Sequence, residues 1–212
     1  MNILEEISQS LQIGNCEAVS SLTKKAIATK IDSKEILDIG LIAGMAVVGE
    51  KFKTHRIFLP DVLLAAKAMY VGMDLLKPLL IKEGIPSIGK VVIGTVQGDL
   101  HDIGKNLVGI MLKGAGFEVI DLGKDVSPEE FVNAAVDNRA KIIGLSALLT
   151  TTMIGMKKVI ELIEERGLKS QIKVIVGGAP LNSDYAREIG ADAYCFDGIN
   201  AVETVKRFIR EI

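Results

Sequence analysis

The sequence predicts an α + α/β protein, in which an N-terminal four-helix bundle precedes a doubly wound, five-stranded parallel sheet. Residues 1–83 carry apolar side chains at helical spacing, whereas residues from about 90 onward alternate short β-branched runs with helical stretches. Of the 212 residues, 49% are hydrophobic and only 4% are aromatic, so the core must be built mainly from aliphatic side chains.

The first two helices follow from the spacing of apolar residues. Ile3, Ile7 and Leu11 recur every four residues, and Gly14-Asn15 should end this helix. A second apolar stripe continues over residues 19–27, which predicts a second amphipathic helix.

The third and fourth helices carry recognisable start signals. Asp32 with Glu35 three residues later resembles a capping box, and the apolar stripe that follows continues to Val47. Pro60 suits the first turn of a fourth helix, and Pro78 should bend or end that helix. Four helices of this length predict a small bundle over residues 1–88.

A glycine-rich segment at residues 84–89 interrupts the helical pattern and predicts a domain junction, so the second domain is expected over residues 89–212. Short β-branched runs separated by helical stretches are typical of a parallel sheet that is buried on both faces. Ser127-Pro128-Glu129-Glu130 is a helix start signal within this half of the chain. The predicted strands cover residues 91–96, 118–122, 142–146, 174–176 and 193–196.

Five β/α units favour a flavodoxin/Rossmann-like sheet with the strand order 2-1-3-4-5, and ligands of such sheets bind where the strand order reverses. The carboxyl ends of strands 1, 3 and 4 should therefore surround one crevice. The loops expected there are residues 98–104, residues 146–152 and the glycine pair 177–178, which are rich in small and hydroxylated residues.

The first of these loops contains His101, one of only two histidines in the chain, with Asp99 two residues before it. A histidine whose second ring nitrogen is held by a carboxylate is typical of a metal ligand. Three other interpretations remain open at this point: a surface histidine, helix capping by the hydroxyls of Thr150–Thr152, and a phosphate site. Nucleotide binding lacks support, because the sequence has neither a Gly-x-Gly-x-x-Gly nor a Walker pattern.

Composition and charge exclude several classes of function. The formal net charge of −2 offers no electrostatic footprint for nucleic acid. Cys16 and Cys195 lack the spacing of a zinc site or a disulfide framework. The sequence begins without a basic signal-peptide region and has no apolar run of the ~20 residues that a membrane helix needs, so a cytoplasmic protein is expected.

The three loops together resemble the cobalamin-binding signature Asp-x-His-x-x-Gly, Ser-x-Leu and Gly-Gly. Here these motifs read Asp99-Leu100-His101-Asp102-Ile103-Gly104, Ser146-Ala147-Leu148 and Gly177-Gly178. Val48-Gly49-Glu50-Lys51-Phe52 and Phe58-Leu59-Pro60-Asp61 are similar to the helical cap that precedes the cobalamin module of methionine synthase. The resemblance covers essentially the whole chain, which is similar to small corrinoid proteins of anaerobic methanol and methylamine methyltransferase systems, as in methanogenesis or acetogenesis.

The resemblance implies a base-off cobalamin or related corrinoid, with His101 as the lower axial ligand of cobalt. Asp99 would hold the other ring nitrogen, and Thr152 stands where the family has a serine, completing a relay of catalytic residues. Phe58 and Val62 would form an apolar roof over the upper face. The full set of expected cofactor-binding residues is Gly98, Asp99, Leu100, His101, Asp102, Ile103, Gly104, Ser146, Leu148, Thr150, Thr152, Gly177, Gly178, Phe58 and Val62.

The resemblance further implies a carrier that accepts a methyl group on Co(I) and hands it on from methyl-Co(III), without a substrate pocket of its own. The expected partners are a substrate-specific methyltransferase, a corrinoid:thiol or corrinoid:folate methyltransferase, and a reductive activator. Three alternatives remain. The first is a cobalamin-dependent sensor, which would need a DNA-binding or output domain. The second is the small subunit of an adenosylcobalamin mutase, which in its family pattern lacks the helical cap, and the third is a flavodoxin-like binder without cobalamin.

Overall fold

The computed structural model describes residues 2–85 and 87–211, and the chain divides into two compact units. One unit comprises Met1–Pro86 together with Gly114–Gly116, and the other comprises Ser87–Lys113 and Phe117–Ile212. The boundary expected between residues 88 and 89 stays a prediction, and Pro86 within the expected junction lies outside the described residues.

The first unit is helical. Within the described residues four helical stretches follow one another along the chain, as expected. The third of these is continuous but changes character, because a π-helical stretch lies between two α-helical segments, which the sequence pattern did not predict. The segments are α1 Ile3–Gln12, α2 Cys16–Ala28, α3 Ser33–Glu35, the π-helical segment Ile36–Ile42, α4 Ala43–Lys53 and α5 Leu59–Lys82.

The helix ends agree with the local sequence signals, with one exception. The Asp32 carboxylate accepts hydrogen bonds from the backbone N–H groups of Lys34 and Glu35, so Asp32 caps α3. Of the two expectations for Pro78, that it ends the fourth helix is wrong, because α5 continues to Lys82, and that it bends the helix stays a prediction. Pro78 lies close to the end of α5 and removes only one hydrogen-bond donor from the helix.

Side chains from all of these helical stretches form the core of the helical unit. In this unit α2 packs on α1 and α5, and α1 also packs on the π-helical segment and α4. The largest fully buried side chains here are Ile7, Leu11, Ile36, Leu41, Met69 and Leu76.

The second unit contains a five-stranded sheet in the order β2-β1-β3-β4-β5, with every pair parallel, which confirms the predicted order. Its strands are β1 Lys90–Thr95, β2 Glu118–Asp121, β3 Ile142–Ser146, β4 Lys173–Gly177 and β5 Ala193–Tyr194. Its helices are α6 Ile103–Gly114, α7 Pro128–Asn138, α8 Ile154–Glu165, α9 Ser183–Glu188 and α10 Gly198–Glu211.

The predicted strand bounds agree with the structure to within one residue, except that β5 is only two residues long instead of four. The chain turns directly into α10 after this strand, because the Asp197 carboxylate accepts a hydrogen bond from Asn200 N (2.7 Å) and its carbonyl accepts one from Ala201 N (3.0 Å). The start signal at Ser127 is confirmed, since Ser127 and Glu130 bond reciprocally at the beginning of α7.

Aliphatic side chains of the central strands form the core of the second unit, together with the facing sides of α7 and α8. Val92, Ile143 and Val174 come from three adjacent strands, and Phe131 and Ile160 come from the two helices. No helix within residues 2–85 and 87–211 is both long and apolar enough to cross a membrane.

Candidate functional site

The sheet brings the three expected loops to one edge. Thr95 at the end of β1 is in register with Ser146 at the end of β3, and Ser146 is in register with Gly177 at the end of β4. The loops that follow these strands therefore leave the sheet side by side, at the switch point of the strand order.

Asp99 is the centre of hydrogen bonding at this edge. Its carboxylate is fully buried and accepts hydrogen bonds from two loops at once. Oδ1 accepts from the backbone N–H (3.0 Å) and from ring atom Nδ1 (2.8 Å) of His101. Oδ2 accepts from the backbone N–H of Leu148 (2.7 Å) and Leu149 (3.2 Å) and from the Thr152 hydroxyl (2.8 Å).

These donors determine the ionisation state of Asp99. Burial alone raises the pKa of a carboxyl group, because it disfavours the charged form. Here the hydrogen bonds from Leu148 N, His101 and Thr152 outweigh burial and hold the pKa of Asp99 well below its ordinary value. Asp99 is therefore an ionised acceptor at neutral pH, compensated by hydrogen-bond donors.

His101 presents an imidazole with one nitrogen already bonded. Because Asp99 can only accept, the hydrogen on the 2.8 Å contact belongs to Nδ1 of His101, and in the neutral ring Nε2 keeps its lone pair. The side chain is 50% exposed, and the buried Thr95 hydroxyl donates to the His101 carbonyl (2.9 Å). The imidazole thus has the tautomer and the exposure that a metal-ligating histidine needs.

Thr152 lies beside Asp99, where the sequence placed it. Its hydroxyl oxygen lies 2.8 Å from Asp99 Oδ2 and 2.9 Å from the Leu149 carbonyl oxygen. Its methyl carbon lies near Gly98, where a Cβ would stand 3.6 Å from it, an ordinary van der Waals distance. A threonine therefore keeps the contact that a serine hydroxyl would make, and its role in a relay stays a prediction.

The glycines of the motif meet two different demands. Gly178 has a φ of +138°, and a Cβ there would lie 1.8 Å from the Ala147 carbonyl oxygen, so only glycine allows the loops after β3 and β4 to approach this closely. A Cβ at Gly104 would meet nothing within 4 Å. The protein itself therefore does not require glycine at position 104, which leaves room there for a ligand.

Large apolar side chains are exposed around these loops. Ile103 is 77% exposed and Leu100, Leu148 and Leu149 are also exposed, whereas Asp102 is half-buried. Clusters of this kind are typical of binding sites. A nitrogen ligand, an open position at Gly104 and apolar surroundings fit a large metal macrocycle.

Four of the predicted residues are not among the described hydrogen-bond partners of Asp99 and His101. Ser146 is half-buried at the end of β3, and Thr150 is exposed in the loop after it. Phe58 is 68% exposed and Val62 is fully buried, and both lie in the helical unit. Their assignment as cofactor contacts stays a prediction, which the burial of Val62 does not favour.

Sequence reasoning missed several residues that support the site. One is Thr95, described above, and another is Asp125, whose carboxylate Oδ1 accepts from Gly98 N (2.7 Å). A third is the buried Lys105, whose ammonium bonds both Asp121 carboxylate oxygens at 2.6 Å. Lys105 directly follows Gly104 of the motif, and a lysine inside an otherwise apolar stripe was the available signal.

Comparison with known proteins identifies the family of this chain. Two family models described as B12 binding domain match the chain, one over residues 89–206 and the other over residues 3–77. A corrinoid protein of Desulfitobacterium hafniense strain Y51 is 44% identical over 212 residues, covering 99% of this chain and 98% of the relative. Dimethylamine corrinoid protein 1 of Methanosarcina acetivorans is 44% identical over 209 residues, covering 98% of this chain and 97% of the relative.

A solved structure is similar over nearly the whole chain. The methanol:cobalamin methyltransferase complex MtaBC from Methanosarcina barkeri contains a chain with a TM-score of 0.90 and 31% identity, and the match covers 99% of this chain and 80% of that one. Family models and near full-length relatives thus agree on the family of this chain. The chain belongs to the family of corrinoid proteins with B12-binding domains.

Proposed function

We propose that this protein is a methyl carrier, which receives a methyl group on a bound corrinoid from a substrate-specific methyltransferase and delivers it to a second methyltransferase. The observation that carries the proposal is the half-exposed His101 imidazole, whose Nδ1 is held by the buried Asp99 carboxylate. The relatives named for dimethylamine and for a methanol:cobalamin methyltransferase complex support the same function.

In this proposal His101 is the protein ligand of a base-off corrinoid. When bound, the corrinoid's cobalt supplies a centre that can accept a methyl group and release it. Nε2 of His101 would bind the metal, and Asp99 would fix the tautomer and the orientation of the ring through Nδ1. Gly104 and the exposed Leu100 and Ile103 would lie against the cofactor.

In this proposal His101, Asp99 and Thr152 form one hydrogen-bonded relay that begins at the metal ligand. Asp99 Oδ1 lies 2.8 Å from Nδ1 of His101. The Thr152 hydroxyl, 2.8 Å from Asp99 Oδ2, stabilises the carboxylate from the other side.

A carrier of this kind depends on its partners. The proposed partners are the substrate-specific methyltransferase, a corrinoid:thiol or corrinoid:folate methyltransferase, and an activator that reduces oxidised cobalt. The exposed apolar side chains around the three loops suit a site that successive enzymes approach.

The test is reconstitution of the full chain with a corrinoid, followed by optical and EPR spectroscopy of the Co(II) state. We expect stoichiometric uptake and nitrogen hyperfine coupling from a protein imidazole, which His101→Ala removes and His55→Ala leaves unchanged. Methyl transfer from a methylamine or methanol methyltransferase should follow. No uptake, or coupling that survives in His101→Ala, would contradict the ligand assignment, and a marked preference for adenosylcobalamin would contradict the carrier function.

A further inference from the structure

Asp125, in the loop that follows β2, forms hydrogen bonds with the loop of residues 98–104. Its carboxylate Oδ1 accepts a hydrogen bond from Gly98 N (2.7 Å), and its own backbone N–H donates to the Asp99 carbonyl (3.1 Å). These two bonds hold both ends of the Gly98-Asp99 segment. We infer that Asp125 is a positioning residue for the His101 ligand.

The loop after β2 is anchored before it reaches this point. Gly123 O accepts from Thr95 N (2.9 Å), and Val126 N donates to Thr95 O (3.0 Å). Val126 also forms a parallel bridge with Val96. The backbone around Asp125 is thus fixed along the end of β1, and this fixes the position from which the Asp125 side chain bonds Gly98.

Asp125 and Gly98 both have backbone conformations with a positive φ. Asp125 has a φ of +58°, which is uncommon for a residue with a side chain, and Gly98 has a φ of +83°. Aspartate and asparagine tolerate this conformation better than most residues. The left-handed turn at Asp125 directs its N–H and its carboxylate toward the same neighbouring loop.

The contact acts on His101 through Asp99. The Asp99 carboxylate must meet donors from His101 on one side and from Leu148 and Thr152 on the other, within hydrogen-bond distance. Its backbone must therefore be fixed, and Asp125 holds the N–H of the preceding Gly98 and the carbonyl of Asp99 itself. Loss of the Asp125 carboxylate should let the Asp99 carboxylate shift, so that Nδ1 of His101 loses its defined acceptor.

This inference rests on the proposed function, because it assigns Asp125 to the placement of the proposed cobalt ligand. Its first test needs no cofactor. Long-range ¹H–¹⁵N NMR spectra of the full chain distinguish the two tautomers of neutral histidine, and the chain has only two histidines. In the wild type we expect His101 to be mainly the Nδ1–H tautomer, with His55→Ala providing the assignment.

Asp125→Ala should add signals of the Nε2–H tautomer of His101, whereas Asp125→Asn, which keeps an acceptor oxygen, should retain the wild-type spectrum. Arg139→Gly is the matched control, because Arg139 also has a left-handed backbone (φ +53°) but lies at the other end of α7. If Asp125→Ala fails to fold, Asp125→Gly removes the carboxylate and suits the same backbone conformation.

Unchanged tautomers in both Asp125→Ala and Asp125→Gly would overturn the inference, and so would an Asp125→Asn spectrum as disturbed as that of Asp125→Ala. The second readout is the EPR spectrum of the corrinoid-loaded chain, in which Asp125→Ala should lower the fraction of histidine-bound Co(II). If Asp125→Ala disturbs the tautomers of His101 but the wild-type chain takes up no corrinoid, the proposed function is refuted and the positioning role of Asp125 is supported.

Discussion

Replacement of Thr152 by valine removes one hydrogen bond from the buried Asp99 carboxylate while it preserves the shape of the side chain. The lost contact is the 2.8 Å bond from the Thr152 hydroxyl to Asp99 Oδ2. A hydrogen bond to a charged group contributes about 1.5–3 kcal/mol, because the ionised partner otherwise loses a donor that water cannot replace. We expect Thr152→Val to lower the free energy of unfolding by about 2 kcal/mol, which is roughly a thirtyfold change in the equilibrium constant.

Thr152→Ser is the matched control, because it keeps the hydroxyl and loses only the methyl group that faces Gly98. Deletion of one buried methyl group should cost about 0.8 kcal/mol. The measurement is urea unfolding of the full chain, followed through resolved ¹H–¹⁵N signals of each compact unit separately. A Thr152→Val variant no less stable than Thr152→Ser would refute the reasoning, since it would show that the hydroxyl contributes nothing net to the stability of ionised Asp99.

Three further substitutions test the same site. Asp99→Asn should destabilise the protein most at neutral pH. The depressed pKa of Asp99 contributes stability above the ordinary carboxyl pKa of about 4, and this stability is lost as pH falls. Urea unfolding at several pH values should therefore show a difference in unfolding free energy between wild type and variant that becomes smaller in acid. Gly178→Ala should cost more than about 3 kcal/mol or prevent folding, because its Cβ would lie 1.8 Å from the Ala147 carbonyl oxygen, and thermal unfolding measures this. Gly104→Ala should raise the free energy of unfolding by up to about 1 kcal/mol, because alanine improves helix propensity and its Cβ meets no clash. The same variant should take up less corrinoid in a spectroscopic titration. Undiminished uptake would contradict the proposed place of the cofactor.

The order of the sheet and the position of the ligand loop could be predicted because both depend on local patterns. Apolar strand runs and glycine-bracketed loops determine where strands 1, 3 and 4 end, and the parallel topology then brings those ends together. Asp99 and His101 were found in this way, whereas Thr152 was assigned from the resemblance to the cobalamin-binding signature. The structure places all three in one hydrogen-bond network.

The supporting role of Asp125 could not be predicted, because its side-chain contact spans a long distance along the chain. Asp125 bonds Gly98, which is 27 positions away, and nothing in the residues around Asp125 indicates this partner. The backbone N–H of Leu149 contributes to the Asp99 network regardless of its side chain, so the sequence carries no signal for it. The π-helical segment in the helical unit was missed for a similar reason, since its apolar spacing also suits an α-helix.

The network around His101 explains why a buried aspartate stands at position 99 where a neutral residue would be easier to bury. An asparagine offers one acceptor oxygen and one donor group, so it could not accept five hydrogen bonds from N–H and O–H donors. The carboxylate accepts all five, and they come from the His101 backbone, the His101 ring, two backbone amides and a hydroxyl. The charge of Asp99 thus both joins the loops after β1 and β3 and fixes the tautomer of His101. The same contacts therefore stabilise the folded loops and orient His101, the proposed ligand. Variants that weaken the contacts of the Asp99 carboxylate should lower both the stability of the protein and the binding of cobalt by His101.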